Sequence, residues 1–583
     1  MSGRAPEYGS DLMAEVLRAL KVPYASLNPG ASFRGLHDSL VNWNGGGPSI
    51  LTCQHEKVAV GVAHGYAKAT GRPMAVILHD LVGLLQSTMG LYYAFCDRVP
   101  VLALGGSGPA DTSKRRPSID WYHSANVQGN AVRDYVKWDD EPRSVAAVPE
   151  SLIRAWNVAR SGPAGPVYVS LDADLQEQEL DGEIDWLGPG AFPPASPPTG
   201  DRDAMAALAT ALLDAERPVI VAGFAGRDPR CFELLPELAD LVGSAVVDTG
   251  NRLSMPQPHD LNLTGVSGVV EESDLVLFLD CKDPEPVVTA VDSASRSTVS
   301  RLRPGTRLMS LGFSSLGVRG WSHDFGRLLA VSPDVTADTV AALPHLVDVV
   351  RTEVARRPPV DAPVGAAWRA RLAELGRRQR RRWEEQRNAD ASLTPLATST
   401  VAGATWDVVR DYDWVLTAGT SRGWARRIWN IDAAYRHPGD SLGTATQIGI
   451  ALGVALAHRG TGRLVVDLQP DGDLMFDLGS LWVAAYYKIP MLTVMVNNRA
   501  YHNDWEHQEV VARQRGRPVE NAYVGMEITG PAPDFSAIAR AQGWWAEGPI
   551  EDPDKAAEVI GRAADVVAST GQPALVDLVT QPK

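Results

Sequence analysis

The sequence predicts an α/β protein built from three doubly wound parallel-sheet domains. Short apolar runs that are typical of buried strands, such as PMAVILH and RVPVLALGG, alternate with helical stretches along the whole chain. This alternation indicates βαβ units. The length of 583 residues corresponds to about three or four domains at ~150 residues each. One stretch, DWLGPGAFPPASPPTG, is rich in Pro and Gly, which is typical of a linker.

The strands and helices place the domain boundaries. A first domain at 1–185 contains PMAVILH, RVPVLALGG and PAGPVYVSLDADL as strands and a helix from His55 to Thr70. A middle domain at 200–350 contains RPVIVAGFAG, SAVVDT, DLVLFLD and TRLMSLG. A helical connector follows at 351–392, and its arginines are interleaved with acidic residues, which favours a solvated helix over a nucleic-acid contact. A last domain at 393–583 contains DWVLTAGTS, GRLVVDLQPDGD, IPMLTVMVNN and PALVDLVTQPK.

Composition and charge exclude several classes of function. Lys and Arg number 55 against 70 Asp and Glu, a formal net charge of −15, and a negative field repels nucleic acid and anionic membranes. No apolar run approaches the ~18–20 residues that span a bilayer, and the amino terminus lacks a signal-peptide core. The four cysteines have no CxxC or CxxH spacing, which argues against disulfides and structural zinc. We expect a cytoplasmic protein that binds neither nucleic acid nor membrane.

Two polar strand ends in the last third predict a site for a metal ion and a diphosphate. The strand VVDLQ runs into PDGD, and the strand IPMLTVMV runs into NN, with one helix between them. One βαβ crossover therefore brings Asp471 and Asn498 to the same carboxyl edge of a parallel sheet. Both side chains offer hard oxygen ligands that suit Mg²⁺. Gly472 lets the backbone approach a phosphate at the start of the following helix.

A second element lies about 400 residues earlier, where LTCQHEKVAVGVAHGYAKATGRP predicts a helix that Glu56 opens. Together the two elements resemble the thiamine-diphosphate-dependent enzymes, whose diphosphate motif opens with Gly-Asp-Gly and closes with Asn-Asn. The resemblance is nearest to the branch of benzoylformate decarboxylase and acetolactate synthase, and it covers nearly the whole chain. It implies that the three domains are pyrimidine-binding, middle and diphosphate-binding. It also implies thiamine diphosphate and Mg²⁺ as cofactors, with Asp471, Asn498 and the carbonyl of Ala500 as metal ligands.

The same resemblance implies roles for further residues. Glu56 would activate the cofactor through a hydrogen bond to its aminopyrimidine, and His79, in AVILHDLVG, falls where benzoylformate decarboxylase carries an active-site histidine. A histidine titrates near neutrality, so His79 is suited to relay protons. The implied cofactor-binding residues are Asn28, Pro29, Gly30, Gly83, Gln86, Gly419, Thr420, Ser421, Thr444, Gly472 and Asp473. The implied substrate-binding residues are Gln128, Tyr501, His502 and Trp505.

The sequence departs from the family pattern at several positions. Pro470 replaces the first glycine of the diphosphate motif, and Thr444 stands where the family has a bulky aliphatic residue under the thiazolium. Ala31 follows Asn-Pro-Gly where the decarboxylase has a serine. The middle domain shows no histidine in the stretch before RPG, where the decarboxylase has its second one, and LFLDCKDPEP lacks the FAD motif of true acetolactate synthases. Substrate identity therefore stays open.

The resemblance implies a carbon–carbon lyase or carboligase that acts on a 2-oxo acid, by decarboxylation, acyloin formation or both. It further implies a homodimer or homotetramer with shared active sites, because Glu56 would meet the diphosphate site of a second subunit. Two alternatives are a 2-hydroxyacyl-CoA lyase and a non-catalytic homologue that serves as a regulatory or scaffold subunit. A dinucleotide-dependent enzyme, suggested by GGSG at 105–108, is disfavoured because no full GxGxxG opens a helix there.

Overall fold

The computed structural model describes residues 4–115, 122–292, 295–313, 328–357, 365–418, 422–440 and 443–581. Within these ranges the chain forms three parallel sheets and one antiparallel strand pair. Apolar clusters lie against the sheets, and helices cover them. This architecture confirms the predicted α/β class of several parallel-sheet domains. The exact domain boundaries stay a prediction.

The amino-terminal sheet has the strand order β2-β1-β3-β4-β6-β5, with every pair parallel. Its strands are β1 (Tyr24–Leu27), β2 (Ser49–Thr52), β3 (Ala75–Leu78), β4 (Leu102–Ser107), β5 (Asp139–Asp140) and β6 (Val167–Asp172). Its helices are α1 (Gly9–Ala19), α2 (Arg34–Asn42), α3 (Glu56–Thr70), α4 (Asp80–Cys96), α5 (Val148–Arg160) and α6 (Ala173–Glu177). The predicted helix from His55 begins one residue later because the His55 side chain caps it, accepting a hydrogen bond from the Lys57 N–H.

The middle sheet has the order β13-β12-β9-β7-β8 and is parallel throughout. Its strands are β7 (Pro218–Ala222), β8 (Ala245–Asp248), β9 (Leu275–Leu279), β12 (Arg307–Gly312) and β13 (Asp334–Thr336). A short antiparallel pair that the sequence did not predict, β10 (Thr289–Val291) and β11 (Thr298–Ser300), lies between β9 and β12 in the chain. The helices are α7 (Arg202–Asp214), α8 (Pro229–Val242), α9 (Glu285–Val288) and α10 (Thr339–Arg356), and the arginine-dense helix α11 (Ala366–Asp390) follows.

The carboxy-terminal sheet has the order β14-β15-β16-β18-β17, again parallel. Its strands are β14 (Trp414–Ala418), β15 (Leu464–Pro470), β16 (Leu492–Asn497), β17 (Trp545–Ile550) and β18 (Ala574–Val579). Its helices are α12 (Thr398–Val409), α13 (Arg422–Ile428), α14 (Gln447–His458), α15 (Asp471–Leu474), α16 (Ser480–Tyr487), α17 (His502–Gln514), α18 (Phe535–Ala541) and α19 (Pro553–Thr570). Among the described residues, none of the helices combines the length and the apolar character that crossing a bilayer requires.

Helices α3 and α14 join the first and last domains through glycines. A Cβ atom added to Gly65 would lie 1.9 Å from the carbonyl oxygen of Ile450, and one added to Gly453 would lie 2.1 Å from that of Val62. The two backbones therefore touch along this contact, which any side chain at these positions would prevent. One apolar cluster runs through both helices and into both sheets. The two candidate half-sites are thus held on one shared core.

Candidate active site

The ends of β15 and β16 bring the predicted metal ligands together. Pro470 lies beside Val496 in the strand register, so Asp471 and Asn498 follow neighbouring strand ends. The Asp471 side chain is 2% exposed. Burial raises the pKa of its carboxyl group to about 6, although the nearby backbone N–H groups of Gly472, Arg499 and Ala500 act in the opposite direction. No described residue bonds its Oδ2 atom.

That buried oxygen is the strongest sign that this strand end could bind a cation. A buried carboxylate oxygen without a hydrogen bond is costly, and a divalent cation would satisfy it. Asn498 Oδ1 accepts a bond from the Ala500 N–H at 3.1 Å, so one turn carries the other two predicted ligands. Among the described residues no group of three or more His, Cys, Asp and Glu side chains could hold a metal ion. The donor set here is instead one carboxylate, one amide and one carbonyl, which suits Mg²⁺.

Asp473 holds a turn that the sequence did not reveal. Its carboxylate accepts bonds from the backbone N–H groups of Ala445 and, at 3.1 Å, Gln447. Thr444 and Ala445 have φ angles of 55° and 63°, a left-handed conformation that is strained for residues other than glycine. The Thr444 side chain also lies close to Tyr93 of α4. Asp473 thus fixes the turn that leads into α14.

Two of the predicted glycines have defined neighbours. A Cβ atom at Gly472 would lie 2.7 Å from the ring of Tyr501, so the absence of a side chain lets this tyrosine pack against the strand end. A Cβ atom at Gly83 would lie 3.3 Å from Oε1 of Glu56, so Gly83 makes room for the glutamate. The predicted cofactor residues Gly419, Thr420 and Ser421 lie outside the described residues.

The amino-terminal half of the site is built around the start of α3. Glu56 opens this helix and is half-buried. The neighbouring His55 contacts Oε1 of Gln86 through its Nε2 atom at 3.1 Å, which places Gln86 beside the same turn. Lys57 forms an ion pair with Asp477 at 3.0 Å. Because Asp477 follows shortly after α15, the start of α3 faces the segment after Asp471.

The predicted turn after β1 lies beside His79. Asn28 Nδ2 donates to the carbonyl oxygen of Cys53 at 3.1 Å, which ties the ends of β1 and β2 together around Pro29. A Cβ atom at Gly30 would lie 2.3 Å from the Cβ atom of His79, so only glycine fits there. Ser32, which sequence reasoning missed, contacts Nδ1 of His79 through its Oγ atom at 3.0 Å.

The four predicted substrate residues lie in two places. Gln128 is 3% exposed, and its Nε2 atom donates to the carbonyl of Gly106 at 2.8 Å, a contact typical of a structural residue. Tyr501 precedes α17, and His502 and Trp505 lie in its first turn with ring centroids 5.6 Å apart. Their substrate roles stay predictions.

This fold and this donor set are those expected of an enzyme that binds a diphosphate through a metal ion at the carboxyl edge of a parallel sheet. Residues 8–129 match the thiamine pyrophosphate enzyme N-terminal TPP-binding domain, and residues 417–578 match the C-terminal TPP-binding domain. The chain belongs to the thiamine-diphosphate-dependent enzymes, in the decarboxylase and carboligase family. The predicted resemblance is confirmed.

Relatives and solved structures agree with this assignment. Glyoxylate carboligase of Escherichia coli O157:H7 is 26% identical over 83% of this chain and 77% of its own length. A probable chloroplastic acetolactate synthase 2 of Oryza sativa subsp. japonica is 25% identical over 98% of this chain and 82% of its own. The crystal structure of benzoylformate decarboxylase from Polynucleobacter necessarius superposes with a TM-score of 0.76 at 17% identity and covers 99% of both chains. At that identity the structural likeness concerns the fold alone.

Proposed function

We propose that the protein is a thiamine-diphosphate- and Mg²⁺-dependent enzyme that breaks or forms the carbon–carbon bond next to the carbonyl of a 2-oxo acid. The observation that carries this proposal is the buried Asp471 carboxylate, whose Oδ2 atom no described residue bonds, beside Asn498 and Ala500. Glyoxylate and benzoylformate, the compounds in the names of two similar proteins, are both 2-oxo acids. Decarboxylation and acyloin formation are the two outcomes that this chemistry allows.

The residues that would bind the cofactor form two groups, one at the metal ligands and one around Glu56. Asp471, Asn498 and the Ala500 carbonyl would hold Mg²⁺, which in turn would hold the diphosphate. Glu56 would hold a proton at the ring nitrogen of the aminopyrimidine, and Gly83 leaves the space for that contact. Thiamine diphosphate would supply the nucleophile and the electron sink for this reaction. His79 would bring a proton relay to the substrate end of the site.

Calorimetric titration and product analysis test this function. Wild type is titrated with thiamine diphosphate and Mg²⁺ and then incubated with a panel of 2-oxo acids and aldehydes, with the products identified by mass spectrometry. We expect Glu56→Gln to bind the cofactor normally and to lose at least ~100-fold in turnover, the range for removing a proton-transfer group. Glu384→Gln, on an exposed position of α11, is the matched control. Absence of cofactor binding by wild type would refute the proposal and support a regulatory or scaffold homologue.

We also propose that the active sites are shared between subunits of a homodimer or homotetramer. In such an assembly Glu56 of one subunit serves the metal site of its partner. Mixing the inactive variants Glu56→Gln and Asp471→Asn after reversible dissociation would then create hybrid dimers with one intact site each. We expect about one quarter of wild-type activity from a random equimolar mixture, as twofold symmetry requires. No recovery of activity, with hybrids confirmed by native mass spectrometry, would mean that each site lies within one chain.

A 2-hydroxyacyl-CoA lyase is the second candidate, because one cleft suits a nucleotide. The cleft, about 610 Å³, lies between the middle and last domains and is lined in part by Arg380, Trp383 and Arg427. The Arg427 guanidinium lies 5.4 Å from the Trp383 ring and 4.8 Å from the Trp424 ring. No carboxylate of a described residue forms an ion pair with it. A cationic and aromatic wall of this kind can bind phosphate and a stacked base.

Experiments with coenzyme A distinguish the two candidate functions. A lyase of this type would release formyl-CoA from a 2-hydroxyacyl-CoA, and Arg427→Ala would weaken binding of coenzyme A, read from tryptophan fluorescence. Arg410→Ala, an exposed arginine on the carboxyl side of α12, is the control. Turnover of free 2-oxo acids without any effect of coenzyme A would exclude this candidate.

We propose that the enzyme acts in the cytoplasm, because free cysteines are typical of a reducing compartment. All four cysteines are free and buried. Burial raises the pKa of the Cys53 thiol to about 12, so this thiol stays protonated and inert. Detection of the native protein in a cytoplasmic fraction tests the location.

A further inference from the structure

His79 contacts a second histidine, which the sequence analysis did not identify. The Nε2 atom of His79 lies 3.1 Å from Nδ1 of His123, and the two rings meet edge to face with centroids 5.3 Å apart. His123 follows β4, and its carbonyl oxygen accepts a bond from the Leu81 N–H at 2.9 Å. This bond fastens His123 to the first turn of α4, the turn that also contains Gly83 next to Glu56.

The contacts of His79 fix which ring nitrogens carry protons. The backbone N–H of Ser32 donates to Nδ1 of His79 at 3.3 Å. Because an N–H group can only donate, Nδ1 of the neutral ring is unprotonated and Nε2 carries the hydrogen. That hydrogen points at Nδ1 of His123, so the proton of neutral His123 lies on its Nε2 atom. Both nitrogens of His79 are therefore occupied, whereas no described residue bonds Nε2 of His123.

A buried carboxylate completes this arrangement. Oδ2 of Asp80 lies 4.0 Å from Nδ1 of His79, and the Asp80 side chain is fully buried. Asp80 also has a φ angle of 41°, an unusual conformation of the kind that clusters at functional sites. An ionised Asp80 at this distance would attract an additional proton on His79 by its charge. When Nδ1 of His79 is protonated, its N–H can donate a hydrogen bond to Ser32 Oγ, which lies 3.0 Å away.

We infer that His123, and not His79, exchanges the proton with the substrate, and that His79 is the residue that positions and recharges it. This inference rests on the proposed function and deepens it. When the pair carries one additional proton on His79, the N–H bond at Nε2 of His123 breaks and an O–H bond forms on the substrate oxygen. The Nε2 proton of His79 moves to Nδ1 of His123. Both rings end neutral, and one proton has left the pair.

Kinetics of two asparagine variants test the assignment. His123→Asn keeps an acceptor for His79 but has no group at the position of Nε2. We expect kcat to fall by at least ~100-fold, with KM within about threefold of wild type. His79→Asn is expected to cost less, about tenfold in kcat, because His123 retains its reacting nitrogen. His345→Asn, at an exposed position of α10, is the control. Wild-type kcat in His123→Asn, or a larger loss in His79→Asn, would overturn the inference.

Chemical labelling of the cofactor-free protein gives a readout that does not depend on activity. Diethyl pyrocarbonate modifies accessible imidazole nitrogens, and peptide mass spectrometry locates the product. In wild type we expect His123 to react and His79 to be protected, and in His123→Asn we expect His79 to stay protected. In His123→Ala, labelling of His79 should rise about fivefold, the factor that corresponds to one lost hydrogen bond. Faster labelling of His79 than of His123 in wild type would overturn the inference. If wild type turns over no 2-oxo acid, the proposed function fails, and the relay role fails with it even where the labelling shows the pair.

Discussion

Replacing Asp467 with asparagine is expected to stabilise the protein at alkaline pH and to leave its stability at acidic pH unchanged. Asp467 is fully buried inside β15. Gln447 Nε2 and Thr417 Oγ1 donate to its Oδ1 atom at 2.8 Å and 3.1 Å. No described residue bonds its Oδ2 atom. Burial raises the pKa of this carboxyl to about 7.

The sign and size of the effect follow from this pKa. The folded protein holds the Asp467 proton up to about pH 7, whereas the unfolded chain releases it near its ordinary value of 3.8. Stability therefore falls as pH rises between these values, by about 1.4 kcal/mol per pH unit, and is level above them. Over this whole pH interval the free energy of unfolding falls by up to about 4 kcal/mol. Asparagine accepts the same two bonds and cannot ionise, so Asp467→Asn removes this cost.

Thermal unfolding of the cofactor-free protein across the pH range measures the effect. The quantity of interest is the difference in apparent Tm between Asp467→Asn and wild type, since other titrating groups cancel in it. We expect no difference at about pH 4 and a rising advantage for the variant that levels off above about pH 7. Asp181→Asn, at an exposed position, is the control and should change the Tm little. A flat difference for Asp467→Asn would show that the carboxylate is ionised without penalty and would refute the reasoning.

Three further variants test the site and the domain contact. Asp471→Asn should weaken Mg²⁺-dependent cofactor binding by at least ~100-fold in calorimetry, because a charged ligand is lost; unchanged affinity would exclude Asp471 as a ligand. Asp473→Ala should cost about 2–3 kcal/mol of stability in urea unfolding, since two buried N–H groups lose their acceptor; a neutral effect would contradict its role in the turn. Gly65→Ala should lower the free energy of unfolding by about 1–3 kcal/mol, because its Cβ atom would meet the Ile450 carbonyl. Gly561→Ala is the control, because the space there is open. It should leave the free energy of unfolding unchanged or raise it by up to ~1 kcal/mol.

The sequence was sufficient to predict what local pattern and strand order determine. Apolar runs that end in polar residues placed Asp471 and Asn498 at neighbouring strand ends, and the structure has them there. The helix that Glu56 opens was recognisable for a similar reason, because His55 provides a cap at its start. These features depend on residues that are close in the chain, together with the rule that parallel strands share one carboxyl edge.

Contacts between distant segments could not be predicted in this way. The cofactor-binding role of Asp473 stays a prediction, but that its carboxylate holds the turn before α14 depends on the packing of that helix. The partner of His79 comes from the segment after β4, where neither spacing nor periodicity marks His123. The raised pKa of Asp467 likewise depends on burial by neighbouring elements. Such contacts carry no signal in a single sequence.

Two of the departures from the family pattern, Pro470 and Thr444, have different consequences for activity. Pro470 has φ and ψ angles of −74° and 145°, which proline adopts without strain, and Asp471 is buried directly after it at the start of α15. The loss of the motif's first glycine therefore leaves the ligand in place. Thr444 is different, because it and Ala445 are small residues in a left-handed turn at the position where the family has a bulky aliphatic side chain. In an idle homologue, cofactor binding without turnover would implicate the turn at Thr444, whereas loss of cofactor binding would implicate the strand end at Pro470.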